Sequence, residues 1–501
     1  MNRKLRNSLF KLHIWLGLHL SLFFAFMFLT GTLLVAGFEL ESIGRPAIWT
    51  TIDKEERTAS FGTIYDGIKE THPESSIYLM FKRPTPWFAD RTFSRTGWGE
   101  SVSFWTNPVT GDVVGATRPN GFRDILRDLH DTFLTEKRVV FMLVSATSVI
   151  LLFQIVSGLI TYRRFWKGFF RWPSRAGGLR AWAGSTHRLT ALWSMPLLIL
   201  TAVTSFYFLL GSLGFEGTYP QPKPPVPRET VLPVNFGSDL IDQAEARARD
   251  ALPGFDPFIM TLPDKKAGAF DFSGHVAGHS GFFGPGNVSI DPVTLEVLGA
   301  YTPNEVGGLA YWKPLMDMLH FGLWAGAFSM VLWIILGLFT TGLALTGALI
   351  FAGRLAPEAA HLGPVKRIWR GMGWTRWAYL LLVMGIIAVA VLRFGPGSNT
   401  KTSAFAVDAP PSVVWMLMHA PLRRDTPLDV ELRISEPDIE TVSIEINGKE
   451  VQSLEVVQTG ETAIAPFQLL PSDTENTIVA HLQKPDADTR TVTFRLGQPI
   501  W

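Results

Sequence analysis

Four of the eleven histidines stand at the ends of long apolar runs, and they do so in matching places. His13 opens one run in LHIWLGL and His187 opens another in THRLTALW. His130 precedes a run in LHDTFL and His320 precedes one in LHFGLW. A neutral imidazole is a good axial ligand for haem iron, and an apolar helix bundle accepts a porphyrin. Two histidines on facing helices bracket one iron, so two pairs predict two b-type haems. Zinc or copper suits the set less well, because two histidines leave a four-coordinate site unfinished. The plainer reading is that each is an interfacial or helix-capping histidine.

The pairing follows from a repeat. NPVTGDVVGA at Asn107–Ala116 returns as DPVTLEVLGA at Asp291–Ala300, 184 positions later. A helix-like stretch precedes each string, at Ile64–Pro73 and Leu240–Pro253. A β-like run follows each helix, at Ile77–Lys82 and Phe258–Leu262. Each segment therefore reads as a small α+β module turning at the Pro-Val-Thr string. The flanking apolar runs repeat with the same topology, which implies a pseudo-two-fold axis along the membrane normal. That axis would pair His13 with His187 near the inner surface and His130 with His320 near the outer one. His19, six residues deeper than His13, is the second choice of inner ligand; its matching position holds Trp193. His130 lies 33 residues before Arg163. On a straight helix the two levels would be about 40–50 Å apart, too far for direct electron transfer. Three arrangements remain: His130 bends into the bundle, His19 is the inner ligand, or the haems are not an electron wire.

The 501 residues carry a net charge of +1, so nothing draws the chain toward nucleic acid. The absence of cysteine excludes disulfides, thiolate metal sites and covalent haem. The 47% hydrophobic content is clumped into five runs near the length that spans a bilayer. They are Ile14–Phe38, Val139–Tyr162, Leu189–Leu213, Phe321–Phe351 and Trp377–Leu392. The first is too long for a signal peptide, and Glu39 and Glu41 follow it without a small-residue cleavage site. Arg3, Lys4, Arg6 and Lys11, then the basic loops after the second and fourth runs, place the N-terminus in the cytoplasm and the C-terminus outside. In a Gram-negative cell the outside is the periplasm, and the membrane is the inner one. The division is 1–38 for the N-terminus and first span, 39–138 for the first module, 139–162 for the second span and 163–188 for a cytoplasmic loop. Then come 189–213 for the third span, 214–319 for the second module, 320–352 for the fourth span and 353–376 for a loop. The fifth span, 377–394, leads to a β-rich domain at 395–501. The fold class is a mainly α membrane protein. Duplicated span–module–span units form a four-helix bundle, with a fifth helix and a C-terminal β-sandwich-like domain.

Other groups carry weaker signals. Arg83, Trp87, Arg91, Arg95, Trp98 and Trp105 could dock an anionic, aromatic ferric chelate, or be folding core and solvated rim. His275 and His279 lie in GHVAGHSGFFGPG, whose glycines read as a loop and not as helical ligand spacing. Met416, Met418 and His419 in WMLMHAP could bind a soft metal but read as a buried strand. In the tail, Val430–Leu496 alternates as strands, and Asn447-Gly448 marks a hairpin turn. No GxGxxG and no P-loop is visible, so a reductase would need a separate cytoplasmic donor or quinol.

The pieces LHIWLGLHLSLFFAFMFLTGTLL with FELE after it, NPVTGDVVGA, LHDTFL, STHRLTALWSMP, DPVTLEVLGA and LHFG occur in this order. Together they resemble the PepSY-associated transmembrane family, the iron-regulated membrane proteins, over roughly residues 5–355. The resemblance implies an inner-membrane protein with paired PepSY modules outside, akin to dihaem reductases of ferric siderophores. It implies haem ligation at His13, His130, His187 and His320, two haem b, and a catalytic residue set left unknown. The departures are a missing Gly after His187, and AVTSFYF in the third span where the family usually has Thr-Gly. The first function expected is reduction of a ferric siderophore or similar ferric chelate, with lipid around the spans. The alternatives are a non-enzymatic PepSY sensor or binding module on an anchor, and a haem protein serving another periplasmic acceptor.

Overall fold

The computed structural model describes residues 3–52, 56–82, 87–117, 121–162, 165–174, 178–224, 236–263, 268–355, 362–394, 402–406, 414–418, 427–435, 439–459, 462–472, 476–485 and 489–497. The first apolar run folds as two helices, α1 (Arg3–His19) and α2 (Ser21–Val35), bent by 62° at Leu20. After α2 come α3 (Gly37–Ser42), α4 (Phe61–Thr71), α5 (Phe122–Asp131) and α6 (Arg138–Thr161). The second half has α7 (Gly178–Trp193), α8 (Met195–Ser212), α9 (Ser238–Ala251), α10 (Leu309–Phe321) and α11 (Gly326–Leu355). Then follow α12 (Pro364–Gly371) and α13 (Thr375–Phe394). Among the described residues α6, α8, α11 and α13 are long and apolar enough to cross a membrane, and α1 with α2 makes a fifth if counted as one broken span. Helix α2 packs on α11, α6 on α8, α1 on α6 and α7 on α11.

Two expectations change here. The third apolar run is not one helix: His187 sits on α7, and a break at Ser194 separates it from α8. Pro196, second residue of α8, lacks the N–H that would continue the helix. The fourth run is likewise divided, because α10 ends at Phe321 and α11 begins at Gly326. Hydropathy alone misses such breaks, since the residues on either side stay apolar.

The two modules are not separate either. Strands β1 (Ser76–Phe81), β2 (Asp90–Arg95), β3 (Ser101–Thr106) and β4 (Val113–Thr117) belong to the first. The second supplies β5 (Phe255–Thr261), β6 (Phe270–Val276), β7 (Gly286–Ile290) and β8 (Val297–Tyr301). They form one eight-stranded sheet, β4-β3-β2-β1-β5-β6-β7-β8. Its seam is the antiparallel pair β1–β5, with Met80 opposite Met260. Helices α4 and α9 pack together over it, and Ile64, Ile241, Met80, Met260, Phe104 and Phe272 share one buried core. The repeated string makes the same turn twice. Asn107 Oδ1 accepts from the amides of Val109 and Thr110 at 2.8 and 3.3 Å. Asp291 Oδ1 accepts from Val293 and Thr294 at 2.9 and 3.0 Å. A short side chain that bonds its own backbone two and three residues on is what such a turn needs.

Among the described residues the tail has nine strands: β9 (Thr402–Phe405), β10 (Val414–Met418), β11 (Leu428–Ile434), β12 (Thr441–Ile446), β13 (Lys449–Leu454), β14 (Val457–Thr459), β15 (Thr462–Leu469), β16 (Thr477–Gln483) and β17 (Arg490–Arg495). They build a five-stranded sheet, β14-β15-β11-β10-β9, and a four-stranded one, β13-β12-β16-β17. Asn447 and Gly448 turn with φ of 52° and 77°, the left-handed pair of a tight hairpin. Val430 and Leu432 of one sheet share a core with Ile444 and Ala480 of the other. Trp98, from the β2–β3 hairpin, lies in that same core at 1% exposure. Its indole donates to the carbonyl of Gly497 at 3.3 Å. The first module thus plugs into the tail domain.

Candidate functional site

Each of the four histidines has its Nδ1 on an oxygen of a neighbouring helix. His130 on α5 meets Thr30 Oγ1 of α2 at 2.8 Å. His320 on α10 meets Thr204 Oγ1 of α8 at 2.8 Å. His13 on α1 meets Ser157 Oγ of α6 at 2.8 Å. His187 on α7 meets the Leu343 carbonyl of α11 at 3.0 Å, with Thr346 Oγ1 at 3.4 Å. The hydroxyls spend their own protons on the preceding helical turn: Thr30 donates to Phe26 O at 2.9 Å, Thr204 to Leu200 O at 2.8 Å and Ser157 to Phe153 O at 2.7 Å. They therefore accept from the imidazoles, and a carbonyl can only accept. A proton on Nδ1 of each ring satisfies these contacts and leaves Nε2 with its lone pair. This is the tautomer that metal-bound histidines adopt when a neighbouring oxygen fixes their other nitrogen.

A glycine follows three of these seats. A Cβ on Gly31 would come within 3.1 Å of the His130 ring, and one on Gly347 within 3.2 Å of the His187 ring. On Gly158 it would lie 3.5 Å from His13. The fourth position is Ser205, after Thr204. The departure from Thr-Gly in AVTSFYF thus falls at the seat of His320. Sequence reasoning does not find the seats Thr30, Ser157, Thr204 and Thr346; a hydroxyl followed by glycine inside an apolar run marks three of them, and Thr204, followed by Ser205, lacks even that mark.

His130 and His320 line one cavity of about 1840 Å³. Its walls come from α2, α6, α8 and α11, and its roof from Tyr78, Phe81 and Arg91 of the sheet. That volume exceeds a usual small-molecule pocket of about 300–1,000 Å³, leaving room for a porphyrin and a further ligand. Arg91 stacks on Phe93 at 4.4 Å, and Arg123 on Phe38 at 4.0 Å. Asp124, Asp128 and Asp131 share the lining. Burial, then the charge of Asp128, pushes the Asp131 carboxyl up.

The distance difficulty is removed because α5 is a separate helix that bends toward α2. Gly337 packs against Thr32, two residues from the His130 seat, and Thr346 lies nine residues farther along α11. Phe24 and Leu151 share a cluster midway between Thr30 and Ser157. At 1.5 Å per residue the two routes put the two levels of seats roughly 10–18 Å apart. His19 lies at the bend of the first span, with Nδ1 on Thr375 Oγ1 of α13 at 3.0 Å and Trp15 beside it at 4.9 Å.

The family model for the PepSY-associated TM region matches residues 10–354. The chain belongs to the PepSY-associated transmembrane family. With its several apolar helices it is a multi-pass membrane protein. No curated protein matches it.

The other groups singled out in this PepSY-associated protein divide. Trp87 and Arg91 line the cavity, whereas Trp98 sits in the tail core and Trp105 is buried with Ile48 and Ala89. Arg83 lies outside the described residues. His275 is on strand β6, its ring tilted against that of Phe258 at 4.7 Å, and not on a loop. Met416 and Met418 are buried in β10, and His419 lies outside the described residues. Among the described residues no three His, Cys, Asp or Glu gather as a metal cluster.

Proposed function

We propose that this protein is an inner-membrane dihaem b protein that reduces a ferric siderophore or similar ferric chelate on its sheet side. The two halves are read as duplicated units whose four spans form one bundle, with the basic loops in the cytoplasm. The carrying observation is the set of four histidines whose Nδ1 rests on an oxygen of a neighbouring helix, two of them facing a large cavity. His13 and His187 would hold one haem, and His130 and His320 the other. Haem, when bound, supplies one-electron transfer across the apolar interior. The chain's own part is to hold the rings. Thr30, Thr204, Ser157 and the Leu343 carbonyl fix tautomer and orientation, and the spans exclude water. Arg91 and Arg123, each on an aromatic face, offer cations to an anionic chelate entering the cavity. Reduction frees the metal because Fe(II) binds hard oxygen ligands far less tightly than Fe(III). Electrons would come from a cytoplasmic reductase or from quinol. His320→Ala tests the reading: haem per chain should fall by one and chelate reduction should stop. An unchanged haem content would remove the assignment.

A further inference from the structure

We propose that the fifth span is a clasp that aims the first half's two histidines, with Tyr379 holding the bend beyond His13 and Arg393 holding the helix of His130. Helix α13 lies beyond the matched residues 10–354. Between its ends it faces outward, with Leu381, Met384, Ile387 and Leu392 exposed. These contacts to the first half are made at its two ends.

At one end, Tyr379 occupies a missing rung of the first span. In an unbroken helix the amide of Phe23 would donate to the carbonyl of His19, four residues back. Here the Tyr379 hydroxyl stands between them, donating to His19 O at 2.6 Å and accepting from Phe23 N at 3.3 Å. Thr375, one turn earlier, accepts from the His19 ring. A hydroxyl inserted in a helical ladder is a recognised cause of a sharp bend. The bend is what turns α1 away from the line of α2, and α1 carries His13 onto Ser157 of α6. The second half breaks at the matching residue, Ser194, with its own Pro196.

At the other end, Arg393 pairs with Asp128 at 2.8 Å and Glu136 at 2.6 Å, and donates to Leu134 O at 3.3 Å. Asp128 is on α5, two residues before His130. The link from α5 to α6 holds Phe133, Leu134 and Glu136 at φ of 50°, 67° and 54°. Left-handed backbone at residues with a Cβ persists only when surroundings enforce it. The second half uses glycine at this link, Gly322 and Gly326 with φ of 72° and 57°. Its own Trp333 donates to Leu319 O at 2.9 Å, beside His320. The same two tasks are therefore done internally in the second half and by the fifth span in the first.

The geometry of the clasp stands without haem; only its consequence for ligation rests on the function proposed above. The chain has no cysteine, so Ser8→Cys and Leu29→Cys, both exposed, would take spin labels without background in the full-length protein. Across the 62° bend the helix axes at these positions lie about 27 Å apart, against about 31 Å for a straight helix. Tyr379→Phe should lengthen the labelled distance by a few ångströms or broaden it, and Tyr379→Leu should do so more. Arg393→Gln should speed amide exchange across residues 122–137 several-fold and, with haem present, shift the potential of one haem only. Arg393→Lys should recover part of both effects. Unchanged distances in both tyrosine variants, or unchanged exchange in Arg393→Gln, would overturn the proposal. A lengthened distance in protein that binds no haem would keep the clasp and discard the haem reading. The converse result, haem lost on His13→Ala with distances fixed, would do the reverse.

Discussion

The two halves of the molecule carry the same four-part pattern and secure it by different means. In the second half the residues that break and pin the helices are local: Pro196, Gly322, Gly326 and Trp333. In the first, the helix ladder is opened by Tyr379 and the strained link is held by Arg393, both from a span beyond the family region. A backbone shape can be encoded in the residue that adopts it or enforced by a distant partner, and this chain does both. The enforced half is the one that a later element can influence, and it is the half into which the tail domain is locked through Trp98.

Truncation after Gly363 removes the clasp and the tail together and should have the largest effect. Each histidine pair has one member in the first half, so haem should be lost at both sites, as counted from the pyridine haemochrome. Pro196→Ala leaves a normal N–H in the second half and should cost less than this truncation on the same count. Trp98→Ala should destabilise the tail by about 3–5 kcal/mol, the usual cost of emptying a buried aromatic site. Denaturant melts with protease sampling of residues 402–497 would read it; equal melts would mean that the tail core closes without the plug. Thr30→Val and Thr204→Val each remove the acceptor for one imidazole. Loss of such a partner typically costs about 10–100-fold in metal affinity, so haem retention should fall alike in both halves. The smallest pair is the exchange of seats. Gly31→Ser puts a Cβ 3.1 Å from the His130 ring and should cost about 1 kcal/mol. Ser205→Gly should stay within about 0.5 kcal/mol. A larger loss in Ser205→Gly would mean that its hydroxyl serves the second-half seat.

Much of this was legible in the sequence for identifiable reasons. The Pro-Val-Thr string marked the repeat because its first residue must bond its own backbone, which restricts it to Asn or Asp. The same repeat set the four histidines at matching helix ends, and Asn447-Gly448 announced its hairpin. The breaks at Leu20 and Ser194 were hidden inside runs that stay apolar across them. The sheet seam was hidden because β1 and β5 are joined only across two spans. Trp98, flanked by glycines, looks like an exposed hairpin tip until the tail folds around it. Tyr379 sits 360 positions from the carbonyl that it caps, and no local pattern points to it. Three of the hydroxyl seats were visible as Thr-Gly or Ser-Gly pairs, but their meaning needed the histidines beside them.

A reduced-minus-oxidised absorption spectrum of the purified full chain, with haem counted per polypeptide, tests the central claim most directly. Two b-type haems per chain are predicted, one for each histidine pair. A colourless protein from cells supplied with haem precursor would contradict the account and leave the four seated histidines as structural groups of a membrane-anchored binding module.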